Sequence, residues 1–222
     1  MSLISNDNKE KVFYVCSYGG CGSWMVVNFL SKYGYSYHMH KRKVPAYIDK
    51  IWDKDEIIKE HESRHTTSCK FPETDNYQNY IIFIYSKPLF SLSCRNSHGD
   101  KHWKNIGVDS STLSKIQRPH NPKNLLECSE DLIKYEEFWD NYVFHKCNLP
   151  ILCLNYHFLW DNLNILYDFC HIDKTDIKNF PKKRIPSYER RGDVILQDIN
   201  NIFTSLNNKI DIYPNAFIIP GK

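Results

Sequence analysis

The 222-residue chain contains no Gly-Lys-Ser or Gly-Lys-Thr tripeptide. A Walker A loop needs that lysine for the terminal phosphates and that hydroxyl for magnesium, so ordinary ATP or GTP hydrolysis is disfavoured. Its eight cysteines (Cys16, Cys21, Cys69, Cys94, Cys128, Cys147, Cys153 and Cys170) form no C-x-x-C pair. That spacing argues against a structural zinc site, and the length argues against a disulfide framework. No apolar run approaches membrane-spanning length, and Met1 to Lys11 is too polar for a signal peptide. The expected setting is therefore cytoplasmic and reduced, with no membrane partner. The net charge of +3 is mild; it suits a small anionic ligand and lacks the strongly basic balance of a nucleic-acid binder. Glycine is scarce at eight residues, yet three of them fall at positions 19, 20 and 22.

Those glycines sit in the stretch around which the chain is organised, Lys11 to Gly34. Val12-Phe13-Tyr14-Val15-Cys16 is β-branched and aromatic and predicts a buried strand. Ser17 to Ser23 is a glycine loop, and from Trp24 the apolar residues Met25, Val26, Phe29, Leu30 and Tyr33 recur at helical spacing, with Gly34 as a stop. Strand, glycine loop and helix start together present backbone N–H groups and a positive dipole end to an anion. The alternative is a tight turn without a ligand.

Further along, Tyr35 to His40 alternates as a second strand should, and Lys50 to Arg64 predicts an exposed, highly charged helix. Tyr80 to Tyr85 is apolar throughout, as a central parallel strand requires. Pro88 opens a helix over Leu89 to Arg95. The polar segment Asn96 to Pro122 is long enough to be a lid or substrate surface. Asp131 to His145 predicts an amphipathic helix with Phe138, Trp139 and Tyr142 in the core, and Ile151 to Tyr156 a third strong strand. Phe158 to Cys170 predicts another helix, and Val194 to Asn207 a last one. The alternation indicates one α/β domain over residues 11–222, a parallel sheet flanked by helices in three layers, after a loose tail at 1–10.

Three of these blocks together resemble the sulfotransferase family, which uses 3′-phosphoadenosine-5′-phosphosulfate (PAPS) on a P-loop-NTPase-like α/β fold. VFYVCSYGGCGSWMVVNFL is similar to its 5′-phosphosulfate loop, IIFIYSKPLFSLSCR to its 3′-phosphate motif, and LPILCLNYHFLWDNLNILYDFCHI to its late strand and following helix. Phe180 to Arg184 and Arg190-Arg191-Gly192-Asp193 are similar to the basic segment that closes over the 3′-phosphate. The resemblance implies sulfuryl transfer from PAPS, with adenosine 3′,5′-bisphosphate as product and no metal, to a hydroxyl or amine of a glycan or small molecule.

Carried over position by position, it implies that Tyr18, Gly19, Gly20, Cys21, Gly22, Ser23, Trp24, Ser93, Arg95, Arg190, Arg191 and Gly192 bind the cofactor. His40 is the expected general base, after the second strand, with His98, His102 and Glu73 as weaker candidates. The chain departs from the family pattern in the first loop, where no basic residue stands near Gly20. It departs again after the central strand, where Ser86 replaces an arginine and Lys87 follows; Lys87, or an arginine from Arg190-Arg191, is the expected substitute cation. Ser93 lies one residue nearer Pro88 than usual, with Ser91 as a second option. Two rival readings follow: a binding module of the same fold without turnover, and a P-loop kinase, disfavoured by the missing Gly-Lys-Ser/Thr.

Overall fold

The computed structural model describes residues 9–40, 53–62, 70–73, 75–95, 131, 133–144, 148–183 and 200–222. Strands β1 (Glu10–Cys16), β2 (Tyr35–Met39), β3 (Tyr77–Tyr85), β4 (Ile151–Asn155) and β5 (Ala216–Ile219) form one sheet in the order β2-β1-β3-β4-β5. The first four run parallel, as their continuous apolar sequences demand: both faces of such strands are covered by helices. The fifth corrects the all-parallel expectation. It pairs antiparallel with β4, Leu152 opposite Ile218, and its four residues after Pro214-Asn215 are too short to announce themselves by period.

Helix α1 (Ser23–Leu30) covers one face with α5 (Leu163–Phe169), burying Val26, Phe29, Leu30, Leu166 and Tyr167 against Phe13, Val15, Ile82 and Ile84. On the other face α4 (Tyr135–Val143) and α6 (Thr204–Ile212) bring Phe138, Trp139, Tyr142, Leu206 and Ile210 onto Tyr14, Cys16, Phe83 and Cys153. The result is a three-layer α/β arrangement. Each such side chain contributes about 1.5–3 kcal/mol by leaving water. Cys16 and Cys153 act as small core residues; burial pushes the Cys153 thiol well up, which keeps it protonated and inert.

Helix α2 (Lys54–Glu62) is less exposed than its charge suggests, because Ile57 and His61 are buried against the sheet edge. Helix α3 (Pro88–Arg95) begins at its proline as expected. The stretch read as one helix from Phe158 to Cys170 is broken: short 3₁₀ turns at Tyr156–Phe158 and Trp160–Asn162 precede α5. Asn155 caps the first of them by accepting from the His157 amide, and that local bond holds the tighter turn. Glu10 lies in β1 and not in a tail. The last helix ends at Ile212, beyond the predicted Asn207; residues 194–199 and 1–8 lie outside the described residues. Among the described residues no helix is long and apolar enough to cross a membrane.

Candidate anion site at the glycine loop

The chain leaves β1 toward β2 on one side and returns to β3 on the other, so β1 and β3 flank the point where strand order reverses. In parallel α/β sheets ligands bind in the crevice at the carboxyl ends of such strands. The loop 17–22 leaves β1 there and Ser86-Lys87 leaves β3 beside it. Gly19, Gly20 and Gly22 take φ of 106°, 72° and 68°, a region other residues enter only with strain. A Cβ on Gly20 would lie 2.3 Å from the Ser91 carbonyl oxygen, and one on Gly22 2.3 Å from the Tyr156 ring. The glycines thus let the loop press against α3 and the turn after β4.

The loop's side chains are anchors. Tyr18 stacks on Tyr135 with ring centroids 4.0 Å apart and donates to the Ile133 carbonyl. The Cys21 thiol donates to the Ile84 carbonyl at 3.2 Å. Trp24 turns away from the loop and packs beside His38 and His61. What the loop offers a ligand is its backbone. Gly22 caps α1 in the left-handed region without a side-chain hydrogen bond. Among the described residues, the amides of Gly19, Gly20, Gly22 and Ser23 meet no acceptor. Buried or half-buried donors of this kind are uncommon unless a ligand or water takes them.

Beneath the loop runs a buried polar chain. The Ser17 hydroxyl donates to Ser23 Oγ at 2.8 Å, and Ser23 Oγ lies 2.6 Å from His38 Nε2. His40 Nδ1 donates to the Ser17 carbonyl, and the rings of His38 and His40 lie 4.3 Å apart. His61 Nδ1 accepts the His38 backbone N–H at 3.2 Å. All three histidines are buried; burial also depresses the pKa of His61, against a smaller opposing pull from Glu62.

His40 is thus buried, and its bond to the Ser17 carbonyl ties down the start of the loop. Lys87 reaches Asp211 of α6 at 2.7 Å and lines a cavity of about 680 Å³ with Phe90, Asn155 and His157. Ser91 is fully buried, with its hydroxyl 2.6 Å from both Ser86 Oγ and the Tyr135 hydroxyl, and so braces α3 against α4. Ser93 and Arg95 fall on α3 with their side chains outside the described residues, as are Arg190, Arg191, Gly192, His98 and His102. Glu73 precedes β3 at the amino end of the sheet, away from the loop. Ser17, His38 and His61 escaped the sequence reading. The i, i+2 spacing of His38 and His40 on a strand was the available signal, since it puts both on one face.

No protein-family model, curated protein or solved structure matches this chain. Among the described residues no group of three or more His, Cys, Asp or Glu is arranged to hold a metal ion.

Proposed function

We propose that the protein is a PAPS-dependent sulfotransferase that moves a sulfuryl group to a hydroxyl or amine of a carbohydrate or small-molecule acceptor. The observation that carries the reading is the glycine loop: left-handed glycines and a helix start without a side-chain cap leave amides without an acceptor among the described residues, at the strand-order reversal where such sheets bind ligands. The order of the three blocks resembling the family supplies the donor's identity. Sulfuryl transfer depends on positioning and on stabilising charge at the leaving oxygen, which preorganised amides provide. His40 would accept the acceptor's proton through Nε2, since Nδ1 is engaged by Ser17.

A second reading, a binding module without turnover, is favoured by the side chains: no cation stands in the loop, and Lys87 is paired with Asp211.

Adenosine 3′,5′-bisphosphate should raise the melting temperature. At a hundredfold excess over Kd the gain is about 2.7 kcal/mol, roughly 5–10 °C for a chain of this size. Labelled PAPS should then pass label to some member of a glycan and small-molecule panel, in EDTA as well as without it. Absence of any shift at millimolar ligand contradicts both readings, whereas a shift without transfer selects the binding module.

A further inference from the structure

We infer that the cavity of about 680 Å³ between the start of α3 and α6 is a carbohydrate subsite, holding one uncharged sugar ring of a glycan through the side-chain amides of Asn155 and Asn207. Both amides have fixed orientations. Asn155 Oδ1 accepts the His157 backbone N–H at 3.2 Å, which only the oxygen can do, so Nδ2 is the other atom. Asn155 is 5% exposed and lines the cavity, and among the described residues its Nδ2 finds no acceptor. Asn207 is turned the opposite way. Its Nδ2 faces the Asn200 carbonyl at 3.5 Å and Asn200 Oδ1 at 3.4 Å, and its Oδ1 is buried without a donor. One wall thus carries an idle donor and an idle acceptor. Buried amides are seldom left so unless a ligand or water takes them.

A neutral ligand that serves both groups must accept at one point and donate at another. Hydroxyls do both and rotate to suit either partner, so a ring with neighbouring hydroxyls meets the pair. The rest of the lining suits such a ring. Phe158 is 42% exposed at the cavity and has no ring partner among the described residues, which leaves a platform for the C–H face of a sugar. Lys87 and Asp211, bonded to each other at 2.7 Å, add a donor and an acceptor for further hydroxyls. A nucleobase is the rival occupant, since its edge also carries a donor and an acceptor. It would need that edge coplanar with both amides, and the Phe90 ring already stacks on Tyr156 and meets His157. The ribose of PAPS, substituted at 3′ and 5′, has a single free hydroxyl.

The cavity lies at the ends of β3 and β4, whereas His40 follows β2 on the other side of the glycine loop. From β2 to β4 is three strand spacings, about 14 Å. The ring held here is therefore not the one whose hydroxyl meets His40; it anchors a non-reacting unit and makes the acceptor an oligosaccharide. That last step rests on the transfer reading, while sugar binding at Asn155 and Asn207 does not.

The test uses the whole protein without nucleotide and a panel of uncharged di- and trisaccharides of glucose, galactose, mannose and N-acetylglucosamine, with adenosine alongside. Saturation-transfer NMR should show at least one of the sugars bound. Asn155→Asp keeps an acceptor for the His157 amide and removes the donor, and Asn207→Leu removes the acceptor from a helix that tolerates leucine. Each should weaken sugar binding about tenfold or more while the protein stays folded. Should either variant fail to fold, the Asn155 side-chain amide signals of the wild type decide, because they must shift when the sugar is added. A panel without a binder, or binding that both variants leave unchanged, overturns the inference and leaves the glycine-loop reading standing. Adenosine bound through Asn155 and Asn207 in place of the sugars also overturns it and gives the cavity to the nucleoside. Sugar binding lost in the variants, in a protein that ignores adenosine 3′,5′-bisphosphate, upholds the subsite while the transfer reading falls.

Discussion

Two of the loop glycines are held by different neighbours, and the difference predicts different costs. At Gly20 an added methyl meets a backbone carbonyl of α3, which moves only if the helix moves. At Gly22 it meets the edge of the Tyr156 ring, a side chain able to turn. Both substitutions also carry the left-handed penalty of about 1–2 kcal/mol per residue. Gly20→Ala should therefore lose clearly more stability in urea unfolding than Gly22→Ala, by at least about 1 kcal/mol. Equal midpoints would mean that α3 yields as easily as a ring does. Gly22→Val is therefore no silent probe of ligand binding, since its side chain would meet the Tyr156 ring from a left-handed position. The glycine loop itself was legible in the sequence, because three glycines in four positions stand between a strand pattern and a helix pattern. The polar chain of Ser17, Ser23 and His38 was not. It exists only because β1 and β2 pair in a register that puts Val15 opposite His38, bringing residues fifteen positions apart to 2.6 Å.

Helix α2 shows what element-level patterning conceals. Its composition marks it as a solvent helix, yet it docks on the edge strand through Ile57 and His61, with Trp24 and Tyr37 as ring neighbours of the histidine. Burial lowers the pKa of His61 below its value in the unfolded chain, so below about pH 6.5 the unfolded state binds more protons. This contribution is intact above that pH and is lost as the pH falls from 6.5 through the depressed folded value. The melting temperature should accordingly drop between pH 7 and pH 5. His61→Gln, which keeps an acceptor for the His38 amide, should flatten that drop while lowering the neutral-pH value slightly. An unchanged acid slope would show that His61 is already solvated. Strands β1, β3 and β4 were readable because a strand buried on both faces is apolar without interruption. Edge elements such as α2 and β5, covered on one side only, leave weaker signals.

At the scale of the molecule, the carboxyl edge of the sheet carries the loop after β1, Lys87 after β3 and Asn155 at the end of β4, and α6 supplies Asp211 to the cavity that Lys87 and Asn155 line. The α/β class followed from strand and helix alternation, though the antiparallel β5 did not. The pairing of Lys87 did not, because Asp211 is distant in sequence and reaches it only once α6 packs beside β4. Both partners are substantially exposed, and such pairs are worth about 0–1 kcal/mol, so a phosphate entering the cavity competes on favourable terms. If Lys87 serves the donor nucleotide, Asp211 restrains it. Lys87→Ala should shrink the thermal shift produced by adenosine 3′,5′-bisphosphate, and Asp211→Ala should enlarge it by freeing the ammonium and removing a like charge from the ligand's path. The double variant should respond like Lys87→Ala alone, since Asp211 then has nothing to restrain. Unchanged shifts in all three would separate Lys87 from the nucleotide and leave the glycine loop to hold the anion by itself.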